Sequence, residues 1–437
     1  MNHNPRHIPI YSNGQYPDSY YAASRNDHTE YPTLQNDMTA EICVVGGGYS
    51  GLSTAIHLLE LGHEVVLLEG ARIGWGASGR NGGQIVNGLN AGLDKIQKAY
   101  GADTAAFVGG LITRGNDIIR RVIADYHIEC DLKNGNIYVG HTEAHMQGLR
   151  NKKALWAQYG MDSHEILDRT ALKQYINSNA YLGGMIDHSG GHMHPLNLAL
   201  GEARALTQLG GKIFEHTLVT EVTPAQDHVL VLTDQGSVRA QQVVLCGNAY
   251  LDKAVPTLRD RVMPASTQIV ATEPLGDLAN ELMPGGACVE DVRYILDYYR
   301  ISADGRLLFG GGTVYGGTDP ADIEAKIRPN MEKVFPQTQG VNIDYAWSGN
   351  FAISFSRVPQ MGEIHPRIKF AHGYSGHGVT GSHLFGQILA NAIHGNTTEY
   401  ERFKAIPWLP FPGGRALRVP YSMIGSWWYG LRDRLGM

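Results

Sequence analysis

The chain has 437 residues, of which 43% are hydrophobic and 18% are charged, as in a soluble globular protein with room for two domains. Its formal net charge of −6 provides no basic field, which argues against a nucleic-acid-binding protein. The spacing of the four cysteines fits neither a zinc ribbon nor a disulfide framework, so we expect buried thiols in a reducing compartment.

The N-terminal segment, residues 1–37, is polar and aromatic, and we expect an arm that precedes the first strand. It lacks the apolar region of a signal peptide, and no stretch of the chain reaches the ~20 apolar residues of a membrane helix. These features predict a cytoplasmic protein.

The first regular unit is a predicted strand, glycine turn, helix and second strand over residues 42–69. Gly46, Gly48 and Gly51 have the GxGxxG spacing, which permits a tight turn, close approach of backbone to a pyrophosphate, and close packing of helix on strand. The helix N-terminus attracts phosphate, and Glu69 at the end of the second strand is placed to accept hydrogen bonds from ribose hydroxyls. The complete unit predicts a bound dinucleotide, although it does not separate FAD from NAD.

A second glycine-rich loop, residues 72–84, follows that strand directly. A nicotinamide cofactor has no need of glycines here, whereas the ribityl chain and ring of a flavin continue across the sheet and need backbone close by. The loop therefore favours FAD over NAD.

The predicted secondary structure changes along the middle of the chain. Residues 96–175 are predicted to be mostly helical, and strands dominate from residue 212 onward, including a hairpin over residues 294–310. This order predicts an α/β (α+β) fold with a discontinuous Rossmann-like FAD-binding domain of the glutathione-reductase type and an inserted antiparallel-sheet substrate domain. The predicted boundaries are an arm at 1–37, FAD-binding segments 38–95, 181–250 and 345–400, substrate-domain segments 96–180 and 251–344, and a tail at 401–437.

A third glycine motif, residues 370–378, runs from a late strand into a helix predicted over 381–394. Its glycines again permit close approach, and the helix N-terminus points at an anion, which for a reduced flavin is the N1–C2=O2 locus. The tail after residue 424 mixes Trp427 and Trp428 with arginines. We expect it to pack on the protein body, with membrane-surface contact as the alternative.

The three glycine motifs, in this order, resemble the D-amino-acid oxidase family of flavoenzymes, which includes the glycine and sarcosine oxidases. The resemblance extends from about residue 18 to the end and is closest to a narrower group that oxidises γ-glutamylated amines. The segments that carry it are residues 19–24, 76–84, 182–197, 247–251, 296–300 and 412–415.

The resemblance implies a set of cofactor contacts. The residues expected to hold FAD, from pyrophosphate and ribose to adenine, ribityl chain and ring, are Gly46, Gly48, Tyr49, Ser50, Gly51, Glu69, Arg72, Ala77, Ser78, Asn81, Gly82, Gly83, Gln84, Val219, Gly376, His377, Gly378, Val379 and Thr380. Sarcosine-type relatives attach flavin through a late cysteine. Because no cysteine follows Cys288, we expect noncovalent FAD.

Four residues are candidates for catalysis, namely Tyr298, Tyr299, Arg300 and His377. In relatives, the strand that carries the first three crosses above the flavin ring. Alternation along a strand places Tyr298 and Arg300 on one face and Tyr299 on the other. Two interpretations of Tyr298, Tyr299 and Arg300 stay open. A Tyr–Arg pair binds a substrate carboxylate, or these residues only pack in the sheet and form a surface ion pair. His377 is either a positive charge that activates dioxygen or a helix cap.

His188, His192 and His194 have the residue type of a metal cluster, but flavin chemistry needs no metal and we expect none. The resemblance implies an amine oxidase that converts a γ-glutamyl amine such as γ-glutamylputrescine to an aldehyde, with dioxygen as acceptor and ammonia and peroxide as products. No strong base is expected if the amine binds neutral. The alternatives are a D-amino-acid or secondary-amine oxidase, a dehydrogenase that reduces a membrane quinone, and a flavin-binding protein without turnover.

Overall fold

The computed structural model describes residues 14–251 and 254–435, so the first 13 residues of the predicted arm and the last two of the tail lie outside the described residues. Two β-sheets organise the described part of the chain. Its strands are β1 (Met38–Val45), β2 (Val65–Leu68), β3 (Gln84–Ile85), β4 (Lys133–Gly140), β5 (His164–Asp168), β6 (Gly183–His192), β7 (Lys212–Phe214), β8 (Val219–Pro224), β9 (Val229–Thr233), β10 (Ser237–Leu245), β11 (Val262–Thr272), β12 (Cys288–Asp291), β13 (Asp297–Ile301), β14 (Leu307–Tyr315), β15 (Ile343–Ser354), β16 (Gln360–His365) and β17 (Ile368–His372).

Helices cover both sheets. Those in the described residues are α1 (Tyr20–Ala23), α2 (Tyr49–Glu60), α3 (Leu93–Tyr100), α4 (Ala102–Gly109), α5 (Arg114–Asp125), α6 (Glu143–Ala157), α7 (Arg169–Leu172), α8 (Pro195–Gln208), α9 (Pro256–Arg259), α10 (Asp277–Leu282), α11 (Ile323–Val334), α12 (Gly378–Ile393), α13 (Thr398–Lys404) and α14 (Gly414–Leu435).

The first sheet has the strand order β16-β17-β10-β1-β2-β7, with β9 and then β8 continuing from β10 as an antiparallel meander. Its central strands β7, β2, β1, β10 and β17 are parallel. Both faces of β1 are covered, because Ile42 and Val44 pack with the helices while Cys43 and Val45 pack with the meander. Burial on both faces explains the unbroken apolar run in the sequence. The predicted Rossmann-like α/β unit is confirmed.

The second sheet has the order β15-β11-β14-β13-β12-β4-β6-β3, and β5 also pairs with β6. Every pairing is antiparallel except that of β12 with β4. One face, which includes Val289, Tyr299 and Phe309, packs on α11 around Met331. The opposite face is turned toward the first sheet and its glycine loops, which makes the junction of the two sheets the place for a site.

Several strands differ from the sequence-based expectations. Strand β4 lies in a region that we predicted as mostly helical. Strands β6 and β15 pair in the second sheet although the predicted boundaries assign their segments to the FAD-binding domain, and that division of domains stays a prediction. The thiols of Cys43, Cys130, Cys246 and Cys288 are free and buried, as expected.

The C-terminal helix α14 is anchored at its start and exposed beyond it. Arg418 donates from Nη1 to the carbonyl oxygen of Val262 at 2.6 Å. Farther along, Ile424, Trp427 and Trp428 are 64%, 70% and 52% exposed, so this face does not pack on the body as we expected. In the stretches 14–251 and 254–435, no helix has both the length and the apolar character needed to cross a membrane.

Candidate functional site

The turn between β1 and α2 leaves no room for side chains. Gly46 has a φ of +112°, and a Cβ atom at Gly51 would lie 1.9 Å from the carbonyl oxygen of Gly46. A Cβ atom at Gly46 would lie 2.9 Å from the carbonyl carbon of Cys246, which directly follows the neighbouring strand β10. Glycine at both positions therefore lets the first turn of α2 approach β1 and present backbone N–H groups to a phosphate.

Glu69 stands beside this turn at the end of β2. One carboxylate oxygen accepts a hydrogen bond from the Gly47 backbone N–H at 2.6 Å, and the other accepts from Ala71 N–H at 2.8 Å. Burial raises the pKa of Glu69 to about 7, against the opposing effect of these hydrogen bonds. Backbone N–H of Thr217 donates to the Glu69 carbonyl, which brings the start of β8 at Val219 close to the same end of the sheet.

Arg72 is engaged by other residues of the protein. It forms ion pairs with Glu30 at 3.0 Å and Glu215 at 3.7 Å and packs over the Tyr16 ring. Its described contacts are therefore with acidic residues of the protein rather than with the cofactor turn.

The second glycine-rich loop has a fixed conformation. Asn81 donates to the carbonyl oxygens of Ala77 and Ser78 and accepts from Gly83 N–H at 2.8 Å. Gly83 has a φ of +77°, and a Cβ atom there would lie 2.1 Å from a backbone oxygen. The hydroxyl of Ser78 accepts from Tyr49 N–H at 3.0 Å, which joins this loop to the start of α2.

The third motif meets the other two. Gly376 has a φ of +100°, and α12 begins two residues later. The Thr380 hydroxyl donates to the Val86 carbonyl at 2.7 Å, and Tyr374 shares a 2.6 Å hydrogen bond with Ser50 in α2. Segments far apart in sequence thus form one continuous glycine-lined edge, which fits an extended cofactor.

His377 occupies the N-cap position of α12, but its side chain makes no capping hydrogen bond. Burial lowers its pKa to about 4, and the charge of Lys152 acts in the same direction. At pH 7 the imidazole therefore lacks the positive charge that activation of dioxygen requires. The side chain is not a capping group in this structure, and the role of His377 stays a prediction.

The second sheet contributes Tyr298 and Arg300 from β13. Arg300 is 3% exposed and donates from Nε to the Gly82 carbonyl at 2.8 Å and from Nη2 to the Tyr21 hydroxyl at 3.1 Å. The Tyr298 ring lies against Gly82, where a Cβ atom would come within 2.8 Å of it. Both residues therefore face the second glycine-rich loop.

Tyr299 faces the other way, and the structure does not bring it to this site. Its ring stacks on Phe309 with centroids 5.1 Å apart, and its hydroxyl donates to Tyr181 at 2.9 Å. Both partners belong to the core under the second sheet. Tyr299 is a packing residue of that core.

A Tyr299→Phe variant tests this placement. It removes one buried hydrogen bond, so we expect the free energy of unfolding to fall by about 1 kcal/mol. We expect kcat/KM to stay within about twofold of the unsubstituted protein, because the site is not touched. Thermal melting and steady-state assays measure the two effects, and a loss of activity without a loss of stability would contradict the placement.

The three histidines that have the residue type of a metal cluster do not converge. His188 is exposed near Glu165, His192 bonds to the Gly286 carbonyl at 2.9 Å, and His194 caps α8. Among residues 14–251 and 254–435, no group of three or more His, Cys, Asp or Glu side chains is arranged to hold a metal ion.

Sequence reasoning missed Tyr21, Glu290 and Lys152. Tyr21 is buried in the short helix α1 and contacts Arg300, whereas Glu290 lies on β12 next to Tyr298. No motif marks Glu290 or Lys152, whereas Tyr21 lies in the segment 19–24 that carries the family resemblance. Only the alternation along a correctly placed β12 could have pointed to Glu290.

Comparison with known proteins identifies the class of site. The family model described as FAD dependent oxidoreductase (DAO) matches residues 41–392. The chain is 48% identical over 428 residues to a protein from Escherichia coli (strain K12) named gamma-glutamylputrescine oxidoreductase, covering 97% of this chain and all of the relative. It is 39% identical over 422 residues to the probable oxidoreductase OrdL of Haemophilus influenzae, covering 95% of this chain and 97% of the relative.

Solved structures share the fold at low sequence identity. Glycine oxidase from Bacillus cereus superposes with a TM-score of 0.69 at 19% identity, over 85% of this chain and 99% of its own. L-Proline dehydrogenase from P. horikoshii also gives 0.69, at 20% identity, over 82% and 94%. The glycine-lined edge and the carboxylate of Glu69 fit the cofactor that the family model names.

Proposed function

The chain belongs to the DAO family of FAD-dependent oxidoreductases, and within this family we propose that it oxidises the primary amine of γ-glutamylputrescine or a close γ-glutamyl amine. The full-length similarity to the E. coli oxidoreductase carries this assignment of substrate. The proposed reaction converts the amine, dioxygen and water to an aldehyde, ammonia and hydrogen peroxide in equal amounts.

The residues of the chain supply binding and orientation. FAD, when bound, accepts the hydride from the carbon that carries the nitrogen. In the proposal, the N-terminus of α2 with Gly46, Gly48, Tyr49, Ser50 and Gly51 holds the pyrophosphate. Glu69 holds the ribose and Val219 borders the adenine.

The ribityl chain and ring lie along the second and third motifs in this proposal. The residues proposed for these contacts are Ala77, Ser78, Asn81, Gly82, Gly83, Gln84, Gly376, His377, Gly378, Val379 and Thr380. The Cys288 thiol donates to protein oxygens, among them Asn136 Oδ1 at 3.1 Å, and burial raises its pKa. A buried protonated thiol supports noncovalent attachment of FAD.

A panel of three amines tests the function. We expect peroxide and ammonia from γ-glutamylputrescine, with kcat/KM at least about 10²-fold above that for putrescine, which lacks the polar glutamyl group. N-Acetylputrescine controls for the amide alone. Equal activity on free putrescine would overturn the γ-glutamyl assignment, and failure of every amine to reduce the flavin under anaerobic conditions would overturn amine oxidation.

The exposed face of α14 favours a second candidate, a dehydrogenase that passes electrons to a quinone at a membrane surface. Trp427, Trp428 and Ile424 form an apolar patch of the kind that inserts at a lipid interface. The same assay with dioxygen or a soluble quinone as acceptor, with and without anionic vesicles, separates the candidates. Peroxide release at full rate without vesicles supports the oxidase.

A further inference from the structure

A row of polar side chains crosses the face of the second sheet that looks toward the glycine loops. Glu290 on β12 is paired with Tyr138 on β4 and with Tyr298 on β13. Their neighbours along the strands, such as Val289 and Tyr299, point into the opposite core. Glu290, Tyr138 and Tyr298 therefore share one face, and we call them, with Lys152, the Glu290 cluster.

This cluster borders the segments proposed to hold the flavin ring. Tyr298 lies against Gly82, and the Gln84 side chain donates to the carbonyl oxygen of Val289 at 2.9 Å, one residue before Glu290. Lys152 reaches over from α6, with Nζ 3.7 Å from the centre of the Tyr138 ring. The cluster thus lies beside the second glycine-rich loop, where a substrate bound at the ring would meet it.

Glu290 and Tyr138 are buried, whereas Lys152 and Tyr298 are half-buried. Glu290 is 8% exposed, and burial raises its pKa to about 7, against the opposing effect of the Lys152 charge. Burial also lowers the pKa of Lys152 to about 8. The Tyr138 hydroxyl is buried and has no hydrogen-bond partner among the described residues. A buried hydroxyl without a partner costs stability, and with the buried Glu290 carboxylate beside it, this indicates a polar ligand that completes the cluster.

Other ionisable groups lie around Glu290, and their charges influence its titration. Apart from Lys152, Tyr138 and Tyr298, they are Cys288 and Asp291 on β12, Asp187 on β6 with His164 next to it on β5, and His377 at the start of α12.

We propose that Glu290 is the catalytic residue that binds the ammonium group of the substrate and takes one proton from it before oxidation. The carboxylate becomes a carboxylic acid, the ammonium becomes a neutral amine with a free electron pair on nitrogen, and no electrons move in this step. Lys152 is a positioning residue, because its charge opposes a second cation and so favours the neutral amine. The inference rests on the proposed function, since it assumes an amine substrate.

The chemistry explains why such a group is useful. A free alkylamine has a pKa of ~10.4, so only about one molecule in 10³ is neutral at pH 7. A carboxylate whose pKa lies near the working pH is a suitable base, and general bases contribute about 10²–10⁴-fold to rates. Below its pKa Glu290 is protonated and cannot accept the proton, so the rate should fall as the pH drops.

Anaerobic reduction of the holoenzyme by γ-glutamylputrescine, followed by flavin absorbance from pH 6 to pH 10, tests this role. For Glu290→Gln we expect a rate about 10²–10⁴-fold lower at pH 7 that recovers to within about tenfold by pH 10, where the amine is largely neutral without help. For Lys152→Met we expect the acidic limb of the unsubstituted enzyme to move to higher pH, because removing a positive charge raises the pKa of Glu290.

Glu165→Gln is the matched control, since Glu165 lies on β5 of the same sheet with its side chain 61% exposed, and its profile should be unchanged. Flavin content and melting temperature check that each variant is folded. A Glu290→Gln rate equal to that of the parent at pH 7, or lowered by the same factor at every pH, overturns the role of Glu290. If no amine reduces the parent enzyme, the proposed function fails instead, so the two failures are distinguishable.

Discussion

The Gly51→Ala variant is expected to be purified without FAD and without activity. The added methyl group would lie 1.9 Å from the Gly46 carbonyl oxygen, a backbone atom that cannot rotate away. Relief requires α2 to separate from β1, which withdraws the helix N-terminus from the pyrophosphate. Overpacking costs about 1–3 kcal/mol or more, and with the loss of phosphate contacts we expect FAD affinity to fall at least about 100-fold.

Gly148→Ala is the control for this prediction. Gly148 lies within α6, and a Cβ atom there would have no atom of the described residues within 4 Å beyond its own helix backbone and chain neighbours. Alanine therefore fits at this position and should raise helix stability by up to about 1 kcal/mol. The flavin-to-protein ratio after purification and a titration with added FAD measure both variants. Stoichiometric FAD in Gly51→Ala would show that the turn tolerates a side chain and is not the phosphate cradle.

The features of the fold that sequence reasoning predicted are those whose signal is local. The strand–turn–helix–strand unit depends on an apolar run, three spaced glycines and a terminal carboxylate, all within residues 42–69. The opposite orientations of Tyr299 and its neighbours follow from alternation along one strand, and the contacts of β13 agree. Such inferences need no knowledge of which strands are neighbours.

The features that escaped prediction depend on pairing between distant segments. Strand β4 begins with Lys133, Asn134 and Gly135, residues that do not favour strands, and it forms because β6 and β12 pair on both sides of it. Glu290 comes to lie beside Tyr138 only through that parallel pairing. The glycine motifs proposed to hold the cofactor can therefore be predicted from the sequence. The residues proposed to meet the substrate cannot, because their positions depend on the register of the second sheet.

Arg300 is expected to hold the second glycine-rich loop rather than the substrate carboxylate. Its Nε and Nη2 donors already bind the Gly82 carbonyl and the Tyr21 hydroxyl. Hydrogen bonds of this charged kind contribute about 1.5–3 kcal/mol each, so Arg300→Met should lower kcat/KM by roughly 10²-fold or more. Arg300→Lys keeps the charge but replaces the planar fork by one ammonium, and most of the loss should remain.

Two substrates distinguish the two roles of Arg300. γ-Glutamylputrescine carries a carboxylate and N-acetylputrescine does not. If Arg300 only holds the loop, kcat/KM for both substrates should fall by the same factor in Arg300→Met. A grip on the carboxylate predicts a loss confined to the glutamyl substrate and partly restored by lysine. Arg150→Lys, in an exposed ion pair with Glu143, should change neither value. Because the loop that Arg300 holds also contacts Tyr298, we expect both substrates to lose kcat/KM equally and FAD to bind more weakly. A loss confined to γ-glutamylputrescine would show instead that Arg300 binds the substrate carboxylate.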